Sequence, residues 1–215
     1  MPTATRLTAP ASLVIDERAL PVTRPRCAAC LRPQGTCICE WVTPIAHEAE
    51  VLILQHPLEI DHAKNSARLL HLSLPRSRML AGDAFDEAGL RDALQGPKYT
   101  VLLYPQTPED EALALDTAQL KDPSRVRLVV LDGTWRKSRK MLHLSPLLRK
   151  LPRLSLADAP ASNYLIRKAH KPGQLSTLEA TCAALAQLEG SIEKYQPLLK
   201  AFDGFVAQQL AFVPK

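Results

Sequence analysis

From Glu50 onward, short apolar runs alternate with stretches in which apolar residues return at helical spacing. The runs predict strands over residues 51–54, 77–80, 100–103, 126–131 and 153–156. The intervening periodicity predicts helices over 61–72, 86–94, 109–120, 134–143, 176–189 and 193–211. Strands that alternate with helices imply an α/β fold, a mostly parallel sheet with crossover helices. Residues 1–26, rich in Pro, Thr and Ala, break this pattern and read as an extended N-terminal arm. Residues 27–49 form a separate cysteine-bearing segment before the α/β domain of residues 50–215.

Within that domain one junction stands out. Leu128-Val129-Val130-Leu131 stops at Asp132-Gly133-Thr134-Trp135, and a helical pattern rich in Arg and Lys follows at once. Ligands of open α/β sheets bind at the carboxyl ends of strands, at turns of this kind. Gly133 suits a tight bend and Thr134 a helix N-cap. Two other strand ends carry polar groups, Gln55-His56-Pro57-Leu58-Glu59 and Tyr104-Pro105-Gln106. In a parallel sheet all three loops face one crevice. Singly, each has a plain structural reading: an Asx turn at Asp132, a hydrogen-bonded loop histidine at His56, strand-stopping prolines at Pro57 and Pro105. Ser176 and Glu179 form a capping box, whose helix start can also receive an anionic ligand group.

Charge sharpens the picture. The chain of 215 residues has a net charge of +5, unevenly spread. Between Arg136 and Lys171 stand ten Lys/Arg and one acid, Asp158, while the remainder is net −4. A basic block on a mildly acidic body points to a polyanion, and an aromatic beside it to nucleic acid. Arg136, Lys137, Arg139, Lys140, Arg167 and Lys168 are the expected phosphate contacts, with His56 also on the RNA side. No glycine-rich phosphate loop is present, which counts against a kinase, a GTPase or an ordinary dinucleotide enzyme. No apolar run of membrane-spanning length and no cleavable leader pattern occurs, so the expectation is a cytoplasmic protein.

Four of the five cysteines, Cys27, Cys30, Cys37 and Cys39, fall in two close pairs separated by a turn at Pro33 and Gly35. Such pairs can converge on a tetrahedral metal, and thiolates favour zinc. Two disulfides are the competing reading, disfavoured in a reducing compartment. Four protein ligands would leave no open position, so the metal is expected to be structural. Cys182 lies in a helical pattern and reads as a core residue.

Taken in order, these pieces resemble the DTW-domain family of tRNA-uridine aminocarboxypropyltransferases. The matching features are Cys27 to Cys39, His56-Pro57 with Glu59, Lys64-Asn65-Ser66, Tyr104-Pro105, Asp132-Gly133-Thr134-Trp135, Tyr164 with Arg167-Lys168, and Ser176-Thr177-Leu178-Glu179-Ala180. The family is related to SPOUT-type RNA-modifying enzymes, so the resemblance implies a SPOUT-like catalytic domain with a knotted C-terminal part. It also implies the reaction: S-adenosylmethionine donates its 3-amino-3-carboxypropyl group to N3 of a uridine in tRNA and leaves as methylthioadenosine. Asp132 is then the expected catalytic carboxylate, acting as base or holding the donor's ammonium. Tyr104, Pro105, Thr134, Trp135, Ser176, Thr177 and Glu179 are expected around the donor, with Ser176 and Thr177 at a helix start suited to its carboxylate. A SPOUT-like RNA methyltransferase and a noncatalytic zinc-containing RNA-binding module are the alternatives.

Overall fold

The computed structural model describes residues 25–106, 111–156 and 175–212. Within them five strands form one sheet: β1 (Glu50–Gln55), β2 (Ser77–Ala81), β3 (Tyr99–Leu103), β4 (Val126–Asp132) and β5 (Arg153–Leu154). Their order is β2-β1-β4-β3-β5, and every pairing is parallel. Among the described residues six α-helices accompany them: α1 (Ala67–Ser73), α2 (Glu87–Ala93), α3 (Trp135–Leu144), α4 (Pro146–Lys150), α5 (Thr177–Glu189) and α6 (Gln196–Ala211).

Side chains alternate across a strand, so each central strand feeds two cores. Val51, Ile53, Leu128 and Val130 join α1, α5 and α6 on one face through Leu69, Leu70, Leu178, Cys182, Phe202 and Phe205. Leu52, Leu54, Val129 and Leu131 meet Leu90 of α2, Met141 and Leu142 of α3 and Leu148 of α4 on the other. All seven residues of β4 are buried, as a central strand covered on both faces requires. The cysteine segment shares the first core, contributing Cys30 and Ile38. Trp41 lies on α6 at Gly204, where an added Cβ would come within 2.1 Å of the indole. Gln208 of α6 accepts from the Trp41 indole N–H and donates to the Cys37 carbonyl.

The strand order reverses direction beside β1 and β4. After β1 the chain passes outward to β2, whereas after β4 it passes the opposite way to β5. The carboxyl ends of these neighbouring strands therefore diverge, which is a topological switch point. Gln55 and Asp132 are register partners there.

The predicted elements hold with several corrections. Residues 111–116 are irregular, and only a 3₁₀ turn at Gln119–Lys121 forms where a helix over 109–120 was expected. Asp116 instead accepts from the Ala118 N–H in an Asx-type turn, and the Leu113 N–H donates to the Lys150 carbonyl. Helix α1 starts at Ala67 rather than at 61, because Asn65 accepts from the Ala67 N–H and sets the first turn. Strand β5 has two residues instead of four. Helix α4 was not anticipated; Pro146 stands in its first turn, where the missing N–H costs nothing. The last helix splits into a 3₁₀ turn (Glu193–Tyr195) and α6, since Pro197 is tolerated only within an opening turn.

Candidate active site and metal centre

Asp132 ends β4 with only 1% of its surface exposed. Three side chains from three elements donate to its carboxylate. Gln55 Nε2 at the end of β1 lies 2.9 Å from Oδ2, and Asn65 Nδ2 in the loop before α1 lies 2.7 Å from the same oxygen. Thr177 Oγ1, at the start of α5, donates to Oδ1 over 2.7 Å. The amides are themselves oriented: Asn65 Oδ1 accepts from Gln55 Nε2 and from the Ala67 N–H. None of the three donors is cationic, so hydrogen bonds rather than an ion pair hold this buried carboxylate.

The local chemistry of the turn is partly as expected. Thr134 caps α3 by accepting from the Lys137 N–H at 3.4 Å. Gly133 does not adopt a left-handed conformation; an added Cβ would lie a tight 3.1 Å from Lys137 Cβ, so a larger residue needs α3 to give by a few tenths of an ångström. The Ser176–Glu179 capping box is complete, with Ser176 N–H donating to Glu179 Oε2 and Glu179 N–H to Ser176 Oγ. It is this cap that starts α5 and so delivers Thr177 to Asp132.

Around the buried centre lies an exposed rim. Trp135 is 50% exposed and meets Tyr104 edge to face, with ring centroids 5.8 Å apart. Arg153 lies beneath Tyr104, its guanidinium 5.8 Å from the ring. Pro105 is exposed at the end of β3. On α3 the predicted phosphate contacts divide into two kinds. Arg136 and Arg139 are exposed, and among the described residues they have no ion pair. Lys137 pairs at 2.9 Å with Glu59, which is 1% exposed, and Lys140 pairs with Asp83. His56 is buried, and its Nδ1 accepts from the Leu58 N–H to cap the turn Pro57–Glu59. Arg153, counted in the basic block, is buried with its Nη atoms donating to the carbonyls of Leu148, Leu151 and Arg149. Tyr164, Arg167 and Lys168 lie outside the described residues. Gln55 and Asn65 were not singled out from sequence as site residues. Polar side chains at a strand end and just before a helix were the available signal.

The four clustered cysteines converge, their sulfurs all within 4.8 Å of one another. Cys27 and Cys39 sulfurs are 3.6 Å apart and those of Cys30 and Cys37 3.7 Å. A tetrahedral site with metal–sulfur bonds of about 2.3 Å sets ligand sulfurs about 3.8 Å apart, so the arrangement fits a metal ion. All five cysteines are free thiols, which removes the disulfide reading for the described structure. The backbone N–H of Cys30 pulls the Cys27 thiol down to about 6, whereas burial and the adjacent Cys27 push Cys39 up to about 12. Four thiols this close cannot all ionise without a cation between them. Cys182 is fully buried in α5, its thiol pushed up to about 12 by burial, and takes no part.

Fold and site together define an α/β protein with a buried, hydrogen-bonded carboxylate at the switch point of a parallel sheet and a segment of four cysteines whose sulfurs are placed to hold a metal ion. No helix among the described residues is long and apolar enough to cross a membrane. The chain belongs to the DTW domain family, which matches residues 24–210. It is 31% identical over 198 residues to tRNA-uridine aminocarboxypropyltransferase 2 of Drosophila melanogaster, covering 88% of this chain and 77% of that protein. The Mus musculus protein of the same name is 31% identical over 196 residues, 87% of this chain and 64% of its own length. tRNA-uridine aminocarboxypropyltransferase A of Arabidopsis thaliana is 28% identical over 211 residues, 84% of this chain and 79% of that protein. No solved structure gives a significant match.

Proposed function

We propose that this chain transfers the 3-amino-3-carboxypropyl group of S-adenosylmethionine to N3 of a uridine in tRNA, releasing methylthioadenosine. The observation that carries the reading is the buried Asp132 carboxylate, held by Gln55, Asn65 and Thr177 at the switch point of a DTW-domain chain. In the transfer, N3 loses its proton and bonds to the carbon of the donor chain attached to sulfur. The carbon–sulfur bond breaks, and its electrons neutralise the sulfonium.

A carboxylate has about four acceptor positions, and three at Asp132 are occupied. The remaining one suits either the N3 proton or the donor's ammonium, and both favour a carboxylate that cannot rotate. Ser176 Oγ still has its proton to donate, and with Thr177 at the α5 start it suits the donor's carboxylate, next to Glu179. Trp135 and Tyr104, with Thr134 and Pro105 beside them, supply an aromatic wall for adenine or a nucleobase. Arg136 and Arg139, together with Arg167 and Lys168, hold tRNA phosphates; Lys137, Lys140 and His56 contribute at the margin, since each already has a partner in the fold. The knotted path belongs to this proposal on the SPOUT kinship alone. The division into an arm, a metal segment and a catalytic domain belongs to it as well.

In the four-cysteine segment the metal is zinc with a structural role, supported by an all-thiolate donor set that leaves no open position. Mass spectrometry of nucleosides from tRNA incubated with the protein and S-adenosylmethionine tests the function. Aminocarboxypropyl-uridine with methylthioadenosine supports it. Methylated uridine with S-adenosylhomocysteine would identify a methyltransferase, and unconsumed donor would leave an RNA-binding module.

A further inference from the structure

We propose that Arg32 is a positioning residue through which the cysteine segment sets the geometry of the transfer site, an inference that rests on the reading of Asp132 as its centre. Asn65 reaches Asp132 from the segment 61–65, which lies outside any helix or strand. The backbone of that segment is gripped from a distance by Arg32. Its Nη1 donates to the Ala63 carbonyl at 2.7 Å and its Nη2 to the Asn65 carbonyl at 3.0 Å. One planar guanidinium thus spans two carbonyls and fixes the peptide from which the Asn65 side chain projects.

Arg32 is in turn placed by its surroundings. Its carbonyl accepts from the Cys27 N–H at 2.8 Å, so the cysteine turn closes on it directly. Its guanidinium stands 5.2 Å from the Phe205 ring on α6. Two further links tie the same parts together: Arg68 Nε of α1 donates to the Cys30 carbonyl, and Arg26 pairs with Asp61. The path from the cysteines to the carboxylate is therefore short and continuous. It runs from Cys27 to the Arg32 backbone, through its fork to Asn65, and from the Asn65 amide to Asp132. A buried amide carries this last step, so a displacement of the loop is felt at the carboxylate rather than absorbed by solvent.

The test is a pair of variants and their combination, Arg32→Lys, Asn65→Ala and the double change. Lys keeps the charge over Phe205 but cannot span both carbonyls. Single-turnover rates are measured with tRNA and S-adenosylmethionine saturating, alongside tRNA affinity, metal content, thermal melting and amide exchange at Ser66 and Ala67. Misplacement of a site group can cost about a hundredfold, so Arg32→Lys is expected to slow transfer by about ten- to a hundredfold. The amides of Ser66 and Ala67 should exchange faster, with tRNA affinity, metal content and melting close to wild type. The double variant should be no slower than Asn65→Ala alone, because both changes act on one contact. A wild-type rate in Asn65→Ala would overturn the reading of the site itself. With Asn65→Ala slow, a wild-type rate in Arg32→Lys overturns this inference and leaves that reading intact. Rates that multiply in the double variant, or metal loss in Arg32→Lys, overturn it as well.

Discussion

Replacing Asp132 with Asn removes one negative charge and almost nothing else, and the hydrogen-bond pattern shows why the fold should tolerate it. Gln55 and Asn65 both donate to Oδ2, whereas Thr177 donates to Oδ1. An amide oxygen in the Oδ2 position can accept from both amides, and its NH2 group can donate to Thr177, whose hydroxyl rotates to accept. Gln55, Asn65 and Thr177 each keep a hydrogen bond to the side chain, while its second amide hydrogen falls in the position left open at Asp132. Charge-assisted bonds are worth about 1.5–3 kcal/mol and neutral ones about 0.5–1.5, so three weakened bonds cost about 3–4.5 kcal/mol. Relief of burying a carboxylate held by neutral donors offsets part of that. Asp132→Ala behaves differently: it strands three buried donors at about 1–3 kcal/mol each, enough to loosen the whole site. Asn is therefore the informative change. If the carboxylate takes the N3 proton or holds the donor, single-turnover formation of aminocarboxypropyl-uridine at saturating substrates should fall by about 10² or more. Melting should drop only modestly. A folded Asn variant within a few-fold of wild type would refute the argument and reduce Asp132 to the post that gathers Gln55, Asn65 and Thr177.

Other consequences can be checked alongside. Elemental analysis should find one zinc per chain, and changing Cys27, Cys30, Cys37 or Cys39 to Ser should lower metal content and melting temperature together, since metal binding and folding are linked. A stable, metal-free wild-type protein would contradict this. Neutralising Arg136 and Arg139 together should reduce the slope of log affinity for tRNA against log salt by up to about 2 while leaving stability unchanged. Burial holds His47 and His71 below 6.5, so beneath that pH the unfolded chain binds more protons than the folded one. Their contribution to stability is thus complete above about pH 6.5 and is lost as the pH falls through the lowered values. Urea midpoints between pH 7.5 and 5.5 should show this decline, and His47→Gln should flatten it.

Much of this architecture is set by interactions between near neighbours in the chain, and those are legible without a structure. Thr134 caps its helix through a residue three positions on, and Ser176 and Glu179 satisfy each other across the same interval. The two cysteine pairs are close in sequence, so their convergence needs only a turn at Pro33 and Gly35. Continuous apolar runs identify β1, β3 and β4, because a strand covered on both faces has no polar side to show. Where a side-chain hydrogen bond competed with helix formation, as at Asn65 and Asp116, periodicity misplaced or invented a helix. The centre of the site is of another kind. Gln55, Asn65 and Thr177 meet Asp132 from 77, 67 and 45 residues away, and Lys137 meets Glu59 from 78. Nothing in the local pattern can pair them. Their meeting depends on the order β2-β1-β4-β3-β5 and on a register that aligns Gln55 with Asp132. That register also decides which lysines on α3 are committed to the fold and which arginines face outward, a distinction invisible in a count of charges. Strand order and register are set by closing both apolar cores at once, a condition on the whole chain that no single segment carries.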